Sequence, residues 1–191
     1  MNKIQIKKCY PYSLPNFKEC SYTHELDMKD MLITDISSLK NLINLKLLKL
    51  GSNQISDIFH LKNLTQLKGL HLESNQISDI FHLKNLTQLK SLHLGRNQIS
   101  DISPLKNLVN LEFLVLWFNQ ISELSPLQDL INLKHLFLSD NKISDISPLK
   151  NLVNLKTIDL IDNFIPLQQI EELKKALPNC RISCNSTTIK L

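Results

Sequence analysis

Leu111-Glu112-Phe113-Leu114-Val115-Leu116-Trp117-Phe118-Asn119 is one copy of a skeleton, LxxLxLxxN, that recurs every 22 residues. Its asparagines are Asn53, Asn75, Asn97, Asn119, Asn141 and Asn163. The preceding apolar positions repeat in register: Leu45-Leu48-Leu50, Leu67-Leu70-Leu72, Leu89-Leu92-Leu94, Leu111-Leu114-Leu116, Leu133-Leu136-Leu138 and Leu155-Ile158-Leu160. After each asparagine comes an xISDI-like run, such as Gln54-Ile-Ser-Asp-Ile58, and then two leucines three apart, such as Leu61 and Leu64.

The spacing dictates a stack. One repeat offers too few apolar side chains to offset the entropy of ordering its own backbone. Stacked repeats cover both faces of every layer, so the array is stable where a unit is not. Each LxL triplet reads as a short strand with its leucines inward and the middle residue outward. The asparagine amides are expected to satisfy backbone groups that the turn leaves unpaired. Ser103-Pro104, Ser125-Pro126 and Ser147-Pro148 place a capping residue and a helix-starting proline before a short Leu-x-x-Leu segment. That segment reads as a 3₁₀ or single-turn helix. Six matches at this period are the leucine-rich repeat pattern. The expected fold is an α/β right-handed leucine-rich repeat solenoid, a horseshoe with a parallel concave β-sheet and short 3₁₀ or irregular convex segments.

Three regions follow. Residues 1–25 lack the repeat and read as an N-terminal cap, in which Ile4 and Ile6 alternate as in an edge strand. Cys9 and Cys20 could bond there only in an oxidising setting. Residues 26–166 hold the repeats, one degenerate and six with the asparagine; in the degenerate one Met31 stands at the asparagine position. Residues 167–191 form a C-terminal cap: a helix with Leu167, Ile170, Leu173 and Leu177 on one face, ended by Pro178, then a last strand at Arg181-Ile-Ser183 and a frayed tail from 184.

Composition narrows the function. The chain has 191 residues, is 42% hydrophobic and has a net charge of +4, too mild to demand a nucleic-acid or membrane partner. Three glycines leave little room for a phosphate-binding loop. No apolar run approaches a membrane span. The start, Met-Asn-Lys-Ile-Gln-Ile-Lys-Lys, lacks the apolar core of a secretory signal, so the cytoplasm with reduced cysteines is expected; a delivered effector or secreted protein stays open. HExxH, CxxC, nucleophile-elbow and phosphate-loop motifs are all missing, so no enzyme and no cofactor are expected.

Residues 53–72 and 75–94 are identical except for Gly69 against Ser91, which reads as a duplication. It pairs His60 with His82 and His71 with His93; duplication explains the pairs, and no metal is expected. Lysines form two columns, Lys40, Lys62, Lys84, Lys106, Lys150 and Lys46, Lys68, Lys90, Lys134, Lys156. They read as a solvated surface, diluted by acids on the same turns, rather than a track for nucleic acid or an anionic surface.

The unit LxxLxLxxNxISDIxPLxxL is similar to the repeats of bacterial internalins and of eukaryotic protein-phosphatase-1 regulators. The tail Ile170-x-x-Leu173-x-x-x-Leu177-Pro-Asn-Cys180-Arg-Ile182 resembles the closing segment of many bacterial leucine-rich repeat proteins. The resemblance covers about residues 26–183. Internalin likeness implies a secreted adhesin that binds a host receptor with its concave face. Regulator likeness implies a phosphatase subunit.

Outward positions on the sheet are mostly small or polar, except around the opening stretch. Phe113, Val115, Trp117, Phe118 and Phe137 cluster on adjacent turns, flanked by His93 and Arg96 on one side and His135, Asp140 and Asp159 on the other. Four buried aromatics would cover roughly 600–1,000 Å². An apolar centre with a charged rim is interface anatomy. The expected function is therefore a non-catalytic module that binds a protein partner on its concave face. Trp117 is the expected anchor, ringed by Phe113, Phe118 and Phe137. Basic-face binding to nucleic acid, phosphatase regulation and self-association through the patch are the alternatives.

Overall fold

The computed structural model describes residues 3–5 and 23–185. In β2 to β8 a three-residue strand overlaps each repeat's LxL triplet, and the buried residue at its centre is the first apolar residue of that triplet, as the period-2 rule requires. The strands are β1 (Lys3–Gln5), β2 (Glu25–Asp27), β3 (Leu47–Lys49), β4 (Gly69–His71), β5 (Ser91–His93), β6 (Phe113–Val115), β7 (His135–Phe137), β8 (Thr157–Asp159) and β9 (Arg181–Ser183). They pair in sequence order, all parallel, in one nine-stranded sheet. Register advances by one repeat per strand, so Leu48, Leu70, Leu92, Leu114, Leu136 and Ile158 form one buried row. This is the α/β leucine-rich repeat solenoid expected from the spacing. The expected edge strand is present at Lys3–Gln5, while Ile6, the Cys9–Cys20 pair and tail residues 186–191 lie outside the described residues.

The asparagine column works as a set of four-armed clips. Asn119 Nδ2 donates to Leu94 O and Leu116 O, both at 3.0 Å, and its Oδ1 accepts from Ile99 N–H of the preceding turn at 3.0 Å. The other members repeat this pattern, so each clip ties its own turn to the one before. Just before each asparagine the chain is left-handed: Ser52, Ser74, Arg96, Phe118, Asp140 and Asp162 have φ between 51° and 56°. A second ladder joins the turns elsewhere: Asn110, Asn132 and Asn154 donate across one turn to Thr87 O, Val109 O and Ile131 O, each at 2.8 Å.

The convex segments are 3₁₀ turns, with Pro104, Pro126 and Pro148 near their starts. The capping expectation is corrected in one respect. Ser103, Ser125 and Ser147 do not cap; their N–H groups donate at 2.8 Å to Asp101, Glu123 and Asp145, and Asp57 and Asp79 do the same for Phe59 and Phe81. A carboxylate two residues upstream closes a tighter turn than a serine inside the segment can. The backbone hydrogen bond from Ser147 holds the Asp145 carboxyl below its usual range. At the C-terminal end α1 (Leu167–Ala176) buries Ile170 and Leu173 and leaves Leu167 exposed.

Candidate concave-face interface

Strands β2 to β9 line up their outward residues on one face, and its aromatic rings come from β4 to β7. Their rings form a ladder. His71 stacks on His93 at 4.0 Å and 9°, and His93 on Phe113 at 5.2 Å and 15°. Phe113 then meets His135 at 5.5 Å and Phe137 at 5.4 Å. Phe113 is thus the hub, because its neighbours sit opposite or diagonal to it across the strands, within reach of aromatic side chains.

The expectation that Phe113, Phe118 and Phe137 ring Trp117 is corrected: of these, only Phe118 pairs with the indole, and Trp117 belongs to a second group. It lies beyond the end of β6, and its ring contacts are an edge-to-face pair with Phe118 at 5.5 Å and the Arg96 guanidinium 5.3 Å from its ring centre. Arg96 also reaches the Phe118 ring, at 5.0 Å. The indole is half-buried because it lies against Gly95 of the preceding turn: a Cβ there would stand 2.7 Å from Cε2. Phe118 is 45% exposed. From the sequence Gly95 is one more small outward residue, with no role in seating Trp117. All three glycines of the chain accommodate a large outward residue on an adjacent turn, Gly51 beneath Glu73, Gly69 beneath Leu47 and Gly95 beneath Trp117, so the small-beside-large column was the available signal.

One expected contact residue is corrected. Val115 points outward by parity but is only 6% exposed. Its register partners, His93 on β5 and Phe137 on β7, are both larger, so Val115 forms the floor between them.

The rim is charged. Burial first, then the charges of Asp162 and Asp159, raise the Asp140 carboxyl, while Arg96 opposes them. Along one lysine column Glu112 accepts hydrogen bonds from Lys90 at 3.3 Å and Lys134 at 2.6 Å, which lowers its carboxyl. In the other, Lys62 and Lys84 lie 3.7 Å over the rings of Phe59 and Phe81. Burial, then the neighbouring His93, pushes His71 down to about 4; burial likewise lowers His93. Both ladder imidazoles are therefore neutral near pH 7.

Residues 65–107, 87–130, 109–151 and 131–175 match the family described as leucine-rich repeats in two copies, more than half of the chain. This chain belongs to the leucine-rich repeat family, in its internalin-like branch. It is 35% identical to internalin C2 from Listeria monocytogenes, covering 93% of this chain and 79% of that one, with a TM-score of 0.81. A second Listeria monocytogenes internalin is 32% identical over 98% of this chain, with a TM-score of 0.89; the chain spans 57% of its length. A leucine-rich repeat protein of Leptospira interrogans shares the fold at 23% identity and a TM-score of 0.76, covering 95% of this chain and 54% of that one. No curated protein matches. Leucine-rich repeat proteins in general mediate protein–protein interaction. No helix among the described residues is long and apolar enough to cross a membrane.

Proposed function

We propose that this leucine-rich repeat chain is a non-catalytic module that binds a protein partner on its concave face, with Phe113, Trp117, Phe118 and Phe137 as the apolar centre. The observation that carries the reading is Phe118. It is a large apolar side chain, 45% exposed, held at φ 51°. On the other asparagine-bearing turns this column holds Ser52, Ser74, Arg96, Asp140 and Asp162, residues that cost less in water. An aromatic that is both solvent-exposed and backbone-strained has its use in a complex. Around it the anatomy fits an interface: aromatic centre, Val115 as floor, and Arg96, His93, His135, Asp140 and Asp159 as polar rim. Internalin likeness favours a receptor-type protein as that partner.

The lysine columns support nucleic-acid binding poorly, because Glu112 pairs with both Lys90 and Lys134. The test compares wild type with Phe118→Asn and Phe113→Ala on candidate partners, with melting curves and sedimentation run in parallel. Loss of one specific partner by folded variants, with shallow salt dependence, is expected. Undiminished capture by both variants refutes the site. Steeply salt-dependent binding to random nucleic acid refutes the partner class. A dimer in sedimentation, dissociated by Phe118→Asn, identifies self-association as the use of the patch.

A further inference from the structure

Beside the aromatic patch, His71 and Glu73 join His93 of its rim in a group that the interface reading does not use as a unit. His71 and His93 are register partners on β4 and β5, and Glu73 follows His71 on the same outward face. One ligand atom from each can be chosen so that all lie within 4.8 Å of one another. Duplication accounts for the histidine pair but not for the carboxylate, since the second copy has Gly95 where the first has Glu73.

Two further observations point to a ligand. Among the described residues Glu73 Oε2 is sealed from water with no hydrogen-bond partner, while Oε1 meets Lys29 Nζ at 3.2 Å. Lys29 meets one oxygen of the carboxylate; the other, buried and without a donor among the described residues, is free to take a cation. The one difference between the duplicated stretches also falls here: Ser91, in place of Gly69, has its hydroxyl 3.1 Å from His93 Nε2. With Nε2 held by that hydroxyl, a metal at His93 would take the lone pair of Nδ1, the outer-sphere arrangement that orients metal-binding histidines.

We propose that His71, His93 and Glu73 bind one zinc ion. Two imidazoles and one carboxylate suit a borderline divalent cation, whereas calcium and magnesium prefer all-oxygen shells. Donors around a tetrahedral zinc stand about 3.4 Å apart, given bonds of about 2.0–2.2 Å. The two rings therefore tilt out of their stack toward a common point. Burial already keeps both imidazoles in the neutral form that ligates. Lys29, whose side chain is 38% exposed, swings into solvent as the metal replaces it as counter-charge to Glu73. Three protein donors leave the fourth position for water or for a side chain of a bound protein.

The test uses the untagged full chain after chelator treatment, titrated with zinc by calorimetry and with cobalt(II) by visible absorption. One zinc per chain and a tetrahedral cobalt spectrum are expected. His71→Asn and His93→Asn each weaken binding by about tenfold or more, and Glu73→Gln weakens it as well. His60→Asn, on the other histidine pair, and Cys180→Ser leave it unchanged. Zinc raises the melting temperature of wild type but not of His71→Asn, whose unchanged circular dichroism shows that it is folded. Failure to take up stoichiometric zinc, uptake that survives both histidine variants, or uptake that is lost with the cysteines overturns the assignment.

Discussion

Asn141→Ala removes four hydrogen bonds, but the structure makes their costs unequal. Asn141 is the most buried of the column, at 6% exposure. Its Nδ2 donates to Leu116 O and Leu138 O, both at 3.0 Å, and to Ser139 O at 3.2 Å. Leu116 O also accepts from Asn119, and Leu138 O from Asn163, so each keeps one partner after the substitution. Ile121 N–H has no such second partner: it donates to Asn141 Oδ1 at 3.0 Å, in a residue that is fully buried. Leaving that N–H unpaired costs about 1–3 kcal/mol, and thinning the three carbonyls adds roughly 1 more. A loss of about 2–4 kcal/mol is expected from the shift of the urea midpoint at unchanged slope. Asn97→Ala should cost less, because water reaches part of that less buried site. Asn141→Asp keeps the acceptor for Ile121 but turns a carboxylate toward three carbonyl oxygens, which raises its folded pKa. Its deficit should therefore shrink as the pH falls through the ordinary carboxylate range, about 4. A loss below about 0.5 kcal/mol for Asn141→Ala would show that the clips are dispensable and that leucine packing alone joins the turns.

Phe118→Asn relieves a left-handed backbone strain of about 1 kcal/mol and forfeits an exposed ring pair of similar worth. Its denaturation midpoint should stay within about 1 kcal/mol of wild type while partner binding is lost, which melting and binding assays read separately. Gly95→Ala puts a methyl where the Trp117 indole lies, so the emission of this single tryptophan should shift to the red and become more open to acrylamide; an unchanged spectrum would disprove that packing. Stability should fall on acidification from about 6.5 toward about 4. His71, lowered to about 4, and His93, lowered too, resist protonation in the fold, so stability present above the unfolded value is lost as the pH drops through this window. Glu73 opposes the shift of both, while Lys29 reinforces it at both and Lys49 at His71. His71→Gln should flatten this acid limb in pH-dependent melts; an unaltered limb would place the titration elsewhere.

Sequence alone determined the solenoid, because a 22-residue period repeats one local instruction until only stacking can bury its leucines. Strand parity, the inward row from Leu48 to Ile158 and the asparagine column all follow from that period. So does the outward placement of Phe113, Trp117 and Phe137 on neighbouring turns. Parity assigns a side but not an exposure: Val115 is outward and yet covered, because His93 and Phe137 on adjacent strands are larger. Nor does it say which rings meet. Phe113 became the hub and Trp117 settled on Gly95 through contacts between residues about 22 apart, whose geometry depends on the curvature and register of the whole stack. The left-handed backbone at Phe118 and the unpartnered Glu73 oxygen beside two neutral histidines are likewise properties of packed turns, and only the tertiary structure could decide them.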